Sequence, residues 1–154
     1  MAWVAEPNLH ITLKFLGQVE EGRVQAIADA LRSAGGLPAF DLELRGLGAF
    51  PTPERPHVLW VGAGRGAEAA AALAARVDAG LAALGFPRET RAFASHVTLG
   101  RVRRPRRNPE LAERVRRAGD RDFGRVRVDA VSLMRSQLSS AGSRYTELAA
   151  LALG

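Results

Sequence analysis

Ser95-His96-Val97-Thr98-Leu99-Gly100-Arg101 and, near the start, His10-Ile11-Thr12-Leu13 carry one pattern: His, apolar, Thr, Leu. Each reads as a short β-strand. Side chains alternate faces along a strand that rises about 3.3 Å per residue, so His and Thr two apart share one face. Ile11 and Leu13, like Val97 and Leu99, then point the other way, into a core. Set side by side, the two strands would present two imidazoles and two hydroxyls around one small space, a site with the makings of acid–base chemistry. The chain holds three histidines and five threonines. A given His then has Thr two positions on by chance roughly 3% of the time, so two of three is an uncommon coincidence. The structural alternative is a pair of strand histidines, each hydrogen-bonded to a neighbouring threonine. His57 lacks the pattern and precedes the apolar run Val58-Leu59-Trp60-Val61, which predicts a surface residue at a strand end.

A chain of 154 residues is long enough for one sizeable core and short for two independent domains. Its 47% hydrophobic and 25% charged content is that of an ordinary soluble globular protein, and the single domain is expected to span 1–154. The absence of cysteine excludes disulfides, a thiol nucleophile and thiolate metal sites, and fits a cytoplasmic location. The start has no basic region followed by an apolar run, and no apolar stretch is long enough to span a bilayer. The net charge of +6 is almost all arginine, because Lys14 is the sole lysine. Arg101, Arg103, Arg104, Arg106 and Arg107 form a basic run after the second motif, followed by Arg114, Arg116, Arg117 and Arg121. Clustered guanidinium groups suit phosphate, through their fork of fixed donors. The alternative is a solvated loop and helix face.

Read in order, residues 8–16 form the first motif strand and Gln18 to Ala34 an amphipathic helix, with Val24, Ile27, Ala28 and Leu31 at helical spacing. Alternation from Phe40 predicts a strand reaching towards Phe50, and Pro51, Pro53 and Pro56 enforce a loop. A strand over 57–62, an alanine-rich helix from Ala67 to Leu84 and the second motif strand at 93–102 follow. Asn108 as N-cap and Pro109 at the first position open a helix to about Ala118. Strands over 123–135 and 145–153, joined by a turn at 139–142, complete the chain. Many strands are neighbours in sequence, so antiparallel pairing with outer helices is expected: an α+β protein of two related halves around a central cleft.

Asn8 to Gly17, Phe93 to Arg101, and the tail residues Ser136, Leu138, Gly142 and Tyr145 together resemble the 2H phosphoesterases over essentially the whole chain. The closest resemblance is to the RNA 2′,3′-cyclic phosphodiesterases, also called 2′-5′ RNA ligases. It implies a bilobal fold of two pseudo-symmetric, mainly antiparallel sheets, and cofactor-free, metal-independent opening of a 2′,3′-cyclic phosphate to a 2′-phosphate. It also implies a capacity to join RNA ends through a 2′-5′ bond. His10 and His96 match the two catalytic histidines, Thr12 and Thr98 the motif threonines, and Arg101 the phosphate-contacting arginine. Two departures stand out. The family's strand and helix before the first motif, roughly thirty residues, are not matched, and Ser95 stands where proline is expected.

Hydrolysis of a cyclic diester needs a base to take a proton from water and an acid to protonate the leaving ribose oxygen. Imidazole titrates near neutrality, so one neutral and one protonated ring can work together. The resemblance assigns His10 as proton donor and His96 as proton acceptor; the chemistry alone allows the reverse. Thr12 and Thr98 would hydrogen-bond the non-bridging oxygens. Arg101 lies five residues after His96, so strict alternation points it to the other face, and an irregularity near Gly100 is expected to turn it back. Lys14, on the His10–Thr12 face of a regular strand, and Phe15 and Tyr145 are further candidates for substrate contact, with Trp60 as another stacking candidate; a rim cation is the main alternative for Lys14, and core packing for Phe15 and Trp60. No metal-binding pattern is present, and zinc on His10 and His96 would still need a third ligand. The expected partner is RNA with a 2′,3′-cyclic end, tRNA fragments among them, met by a monomer without a membrane. Alternatives are a non-catalytic arginine-rich RNA-binding module and a phosphoesterase for small cyclic nucleotides or 2′-5′ oligonucleotides.

Overall fold

The computed structural model describes residues 1–33 and 35–154. The fold is α+β. Among the described residues there are two sheets, one of five strands in the order β1-β4-β3-β2-β5 and one of two strands, β6-β7. The strands are β1 (Ala2–Trp3), β2 (Phe40–Phe50), β3 (Val58–Ala63), β4 (His96–Arg101), β5 (Asp122–Val128), β6 (Ala130–Ser139) and β7 (Gly142–Ala152). The helices are α1 (Val24–Ser33), α2 (Ala67–Ala82) and α3 (Pro109–Arg117). The chain divides into two compact units. The first comprises Met1–Thr12, Asp41–Glu68 and Ala94–Val126, and the second Leu13–Phe40, Ala69–Phe93 and Arg127–Gly154.

In the first unit, β3 is antiparallel to both β2 and β4. Alternation gives the strands one apolar face, where Leu47, Ala49 and Leu59 meet Val115 and Leu111 of α3. α3 starts as its sequence requires: the Asn108 side chain accepts from the Leu111 N–H at 3.1 Å, and Pro109 occupies the first turn, where a missing N–H is harmless. Two irregularities bend the sheet. Leu44 pairs with Ala63 but Leu47 with Val61, so β2 carries one residue more than β3. Gly46 takes φ +83° there, and a Cβ would sit 2.6 Å from the Gly119 carbonyl. The second irregularity lies in β4.

In the second unit, Ile27 and Leu31 of α1 pack with Val77 and Leu81 of α2 and with Phe86. These are the apolar stripes that helical spacing predicts. α1 starts later than the expected Gln18, after a 3-10 turn at Glu21–Arg23, since Glu20 is still extended. Its expected end at Ala34 lies outside the described residues. The expected strand over 8–16 is corrected: a 3-10 turn with Pro7 in its first turn occupies Glu6–Asn8, and only Ile11 makes a sheet-like pair. The expected strand over 123–135 divides at Asp129, β5 joining the five-stranded sheet and β6 pairing with β7. Periodicity alone does not register that change of partner.

An ion cluster around the covered Lys14 and Asp78 side chains ties this unit together, with Arg88 and Glu89 at its exposed rim. The Lys14 ammonium, 3% exposed, donates to Asp78 at 2.6 Å, to the Pro87 carbonyl at 2.9 Å and to Glu89 at 3.3 Å. Arg88 donates to the other Asp78 oxygen at 2.8 Å. Burial pulls the lysine's pKa down, but the bonds to Asp78 and Glu89 outweigh it and the net shift is upward. The hydrogen bonds from Lys14 and Arg88 hold Asp78 at about 2, against an ordinary 3.8.

Because the folded pKa of Asp78 is depressed, its contribution to stability is complete above the unfolded value and is lost as pH falls through about 2. Urea unfolding at pH 5 and at pH 2.5 is expected to find the native chain weaker at the lower pH. Asp78→Asn should be less stable at pH 5 and should lose less between the two. Gly48 of β2 pairs with Trp60, and a Cβ there would overlap the indole ring. Gly48→Ala is therefore expected to lower stability by about 1–3 kcal/mol, as overpacking does, and to alter the near-ultraviolet circular dichroism of the displaced tryptophan.

Candidate active site

Both copies of the His-apolar-Thr pattern lie in the first unit, brought together by an antiparallel bridge between Ile11 and Val97. Paired residues share a face and their chain neighbours take the other. Ile11 and Val97 therefore point one way, and His10, Thr12, His96 and Thr98 the other. In this register His10 lies across from Thr98 and Thr12 across from His96. His10 is exposed and the other three are half-buried.

The first segment reaches this place without being a regular strand. Ala2 pairs with Arg101 and Trp3 with Gly100, and the Val4 N–H donates to the Leu99 carbonyl at 2.8 Å. The chain then leaves β4 for the turn at Glu6–Asn8 and returns at Ile11.

The two histidines are held alike. His10 Nδ1 lies 2.6 Å from the Asn8 carbonyl oxygen, and His96 Nδ1 lies 2.9 Å from the Ala94 carbonyl oxygen. A carbonyl can only accept, so Nδ1 carries the hydrogen in both rings. Nε2 is then the ring nitrogen without a hydrogen in the neutral form. These two acceptors are main-chain carbonyls, so no residue type in the sequence announces them.

Strand β4 contains the irregularity that Arg101 requires. Trp60 pairs with Thr98, but Leu59 pairs with Gly100 and Val58 with Arg101, leaving Leu99 as an extra residue. Val58 and Trp60 share a face of β3. Arg101, opposite Val58, therefore shares the face of Thr98 and His96, although five residues separate it from His96. Its side chain is exposed.

Around His96 the face is aromatic. Phe50 meets the imidazole edge-on, with centroids 5.4 Å apart, and Trp60 lies 6.2 Å away, tilted. The Phe50 and Trp60 centroids are 5.1 Å apart. Phe50 is not among the residues that the sequence singles out; its place opposite Val58, two residues along the strand from Gly48, is the signal that finds it.

The remaining candidates lie in the second unit. Lys14 is corrected: its ammonium is buried on Asp78, Glu89 and the Pro87 carbonyl and is not available to a substrate. Phe15 is 80% exposed, which removes the core-packing alternative for it. Tyr145 is half-buried on β7, opposite Ser136. Among the described residues no group of three or more His, Asp or Glu side chains is placed to hold a metal ion, and no helix is long and apolar enough to cross a membrane.

The chain is similar to known proteins along almost its full length. The family described as the 2′-5′ RNA ligase superfamily matches residues 2–139. A protein of Aeropyrum pernix named RNA 2′,3′-cyclic phosphodiesterase is 40% identical over 148 residues, which cover 96% of this chain and 84% of that one. A protein of the same name from Methanothermobacter thermautotrophicus is 37% identical over 147 residues, covering 95% and 79%. Among solved structures, TT0787 of Thermus thermophilus superposes with a TM-score of 0.77 at 30% identity, covering 99% of this chain and 81% of that one. LigT of E. coli, complexed with 3′-AMP, gives 0.74 at 26% identity, covering 98% and 80%. With a family match over most of its length and relatives this similar, the chain belongs to the 2′-5′ RNA ligase superfamily.

Proposed function

We propose that this chain is an RNA 2′,3′-cyclic phosphodiesterase that opens the terminal cyclic phosphate to a 2′-phosphate without a metal ion. The observation that carries the reading is the pairing of Ile11 with Val97, which gathers two histidines and two threonines on one face with both Nδ1 atoms already bonded. The names of the relatives agree with it.

In this reading His96 Nε2 removes a proton from water as its oxygen attacks phosphorus. The P–O3′ bond breaks, and His10 Nε2–H gives its proton to the departing O3′. His96 ends protonated and His10 neutral, and exchange with solvent restores both. Thr12 and Thr98 donate hydroxyl hydrogen bonds to the non-bridging oxygens, and Arg101 supplies positive charge on the same face. A 5′-hydroxyl in place of water would give a 2′-5′ bond by the same displacement. The chain works as a monomer in the cytoplasm on the cyclic ends of cleaved RNA, tRNA fragments among them.

The test is a short RNA with a 2′,3′-cyclic end, incubated with the purified chain and EDTA and followed by phosphorus NMR. A 2′-phosphate product is expected; a 3′-phosphate would reverse the leaving group, and no turnover would overturn the reading. His10→Ala and His96→Ala should each lower kcat by about 10²–10⁴ with the fold intact by circular dichroism. Thr12→Val and Thr98→Val should each lower it by roughly 10²–10³, the range for a lost oxyanion donor. In nitrogen-15 spectra of the neutral rings, the Nε2 signals of both histidines are expected at the position of an unprotonated nitrogen.

A further inference from the structure

The arginines after the second motif fall into two groups that composition does not separate. Those of α3 are neutralised: Arg114 bonds Glu110 at 3.0 Å, Arg117 bonds Glu113 at 3.0 Å, and Arg116 pairs with Glu54. Those of the preceding loop are not. Arg103, Arg104, Arg106 and Arg107 are exposed, and among the described residues none has a carboxylate partner. Glu110 and Glu113, which follow the loop in sequence, and Glu54, whose carbonyl anchors its far end, are all taken by the helix.

The loop is also tethered. At one end the Val102 N–H donates to the His57 carbonyl at 2.9 Å, and at the other the Asn108 N–H donates to the Glu54 carbonyl at 3.1 Å. Pro105 stiffens the middle by fixing its φ. Four uncompensated guanidinium groups are thus concentrated on a short, anchored segment that continues directly from β4. At about 3.3 Å per residue, Arg101 already lies about 16 Å along the chain from His96, and the loop begins beyond it. The loop therefore continues away from the histidines beyond the end of β4.

We infer that Arg103, Arg104, Arg106 and Arg107 form a track for the backbone phosphates of a single-stranded RNA, several nucleotides upstream of the reacting end. The inference rests on the proposed reaction for the position of that end. A polyanion of regularly repeated phosphates answers a row of forked cations as a compact mononucleotide does not. Like charges held together without counter-charge are also relieved when such a strand displaces the small ions around them.

The test compares the native chain with a variant in which all four arginines are Gln, on a nucleoside 2′,3′-cyclic phosphate and on a single-stranded oligoribonucleotide with the same end. The variant's kcat/KM on the nucleoside is expected within about twofold of native, and on the oligonucleotide about tenfold or more lower at low salt. Plotted against salt on logarithmic axes, the native slope for the oligonucleotide should be steeper by up to about 3, at about 0.7 for each phosphate that the variant no longer holds. Equal effects on both substrates, or no effect on either, would overturn the track. Binding of the 2′-phosphate oligonucleotide, followed by fluorescence anisotropy, reads the loop without turnover. Equal binding slopes in the two proteins overturn the inference. Unequal slopes with no hydrolysis of either substrate uphold it and overturn the catalytic reading instead.

Discussion

Pairing across a sheet dictates facing, and in β4 the pairing changes at one place. Up to Thr98 the strand follows β3 residue for residue; after Leu99 it runs one ahead. Without that surplus, Arg101 would stand on the side of Leu59 and Ala49, against α3, where a guanidinium would have to give up its water among apolar side chains. With it, two imidazoles, two hydroxyls and a guanidinium share a face. Gly100 fits the same constraint, being buried with a Cβ position 3.0 Å from the Met1 sulfur and 3.1 Å from the Trp3 ring.

The two faces of this sheet divide the labour. One is closed by α3, whose own charges are paired along its outer surface. The other is floored by glycine where the large rings need room. The Trp60 indole lies over Gly48 and close to Gly62, and it braces Phe50, whose edge meets His96. A ring confined on one side and bonded through Nδ1 on another has few orientations left, which is what a proton donor or acceptor of fixed direction requires.

Much of this is legible in the residues alone. The repeated His-apolar-Thr pattern, the need for an irregularity before Arg101, the Asn108-Pro109 helix start and the apolar stripes of α1 and α2 follow from residue types and spacing, because each is local. What is not legible depends on partners distant in the chain. Lys14 sits where a regular strand would have aimed it towards substrate, but Asp78 and Glu89, sixty and more residues on, take up its ammonium and cover it. The segment over 8–16 alternates as a strand does, yet one bridge suffices to place it. The run through Asp129 reads as one strand and serves two sheets. The paired and unpaired arginines differ only in which carboxylates are within reach.

The carbonyls that hold His10 and His96 have a consequence for variation. An anchor made of main chain is supplied by any residue that can adopt the local backbone, so the tether of the His96 ring survives substitution at position 94. The orientation of that ring is in this sense insulated from drift at position 94. Its vulnerability lies in insertions and deletions, which would carry the carbonyl away from the ring and shift the face that each histidine occupies.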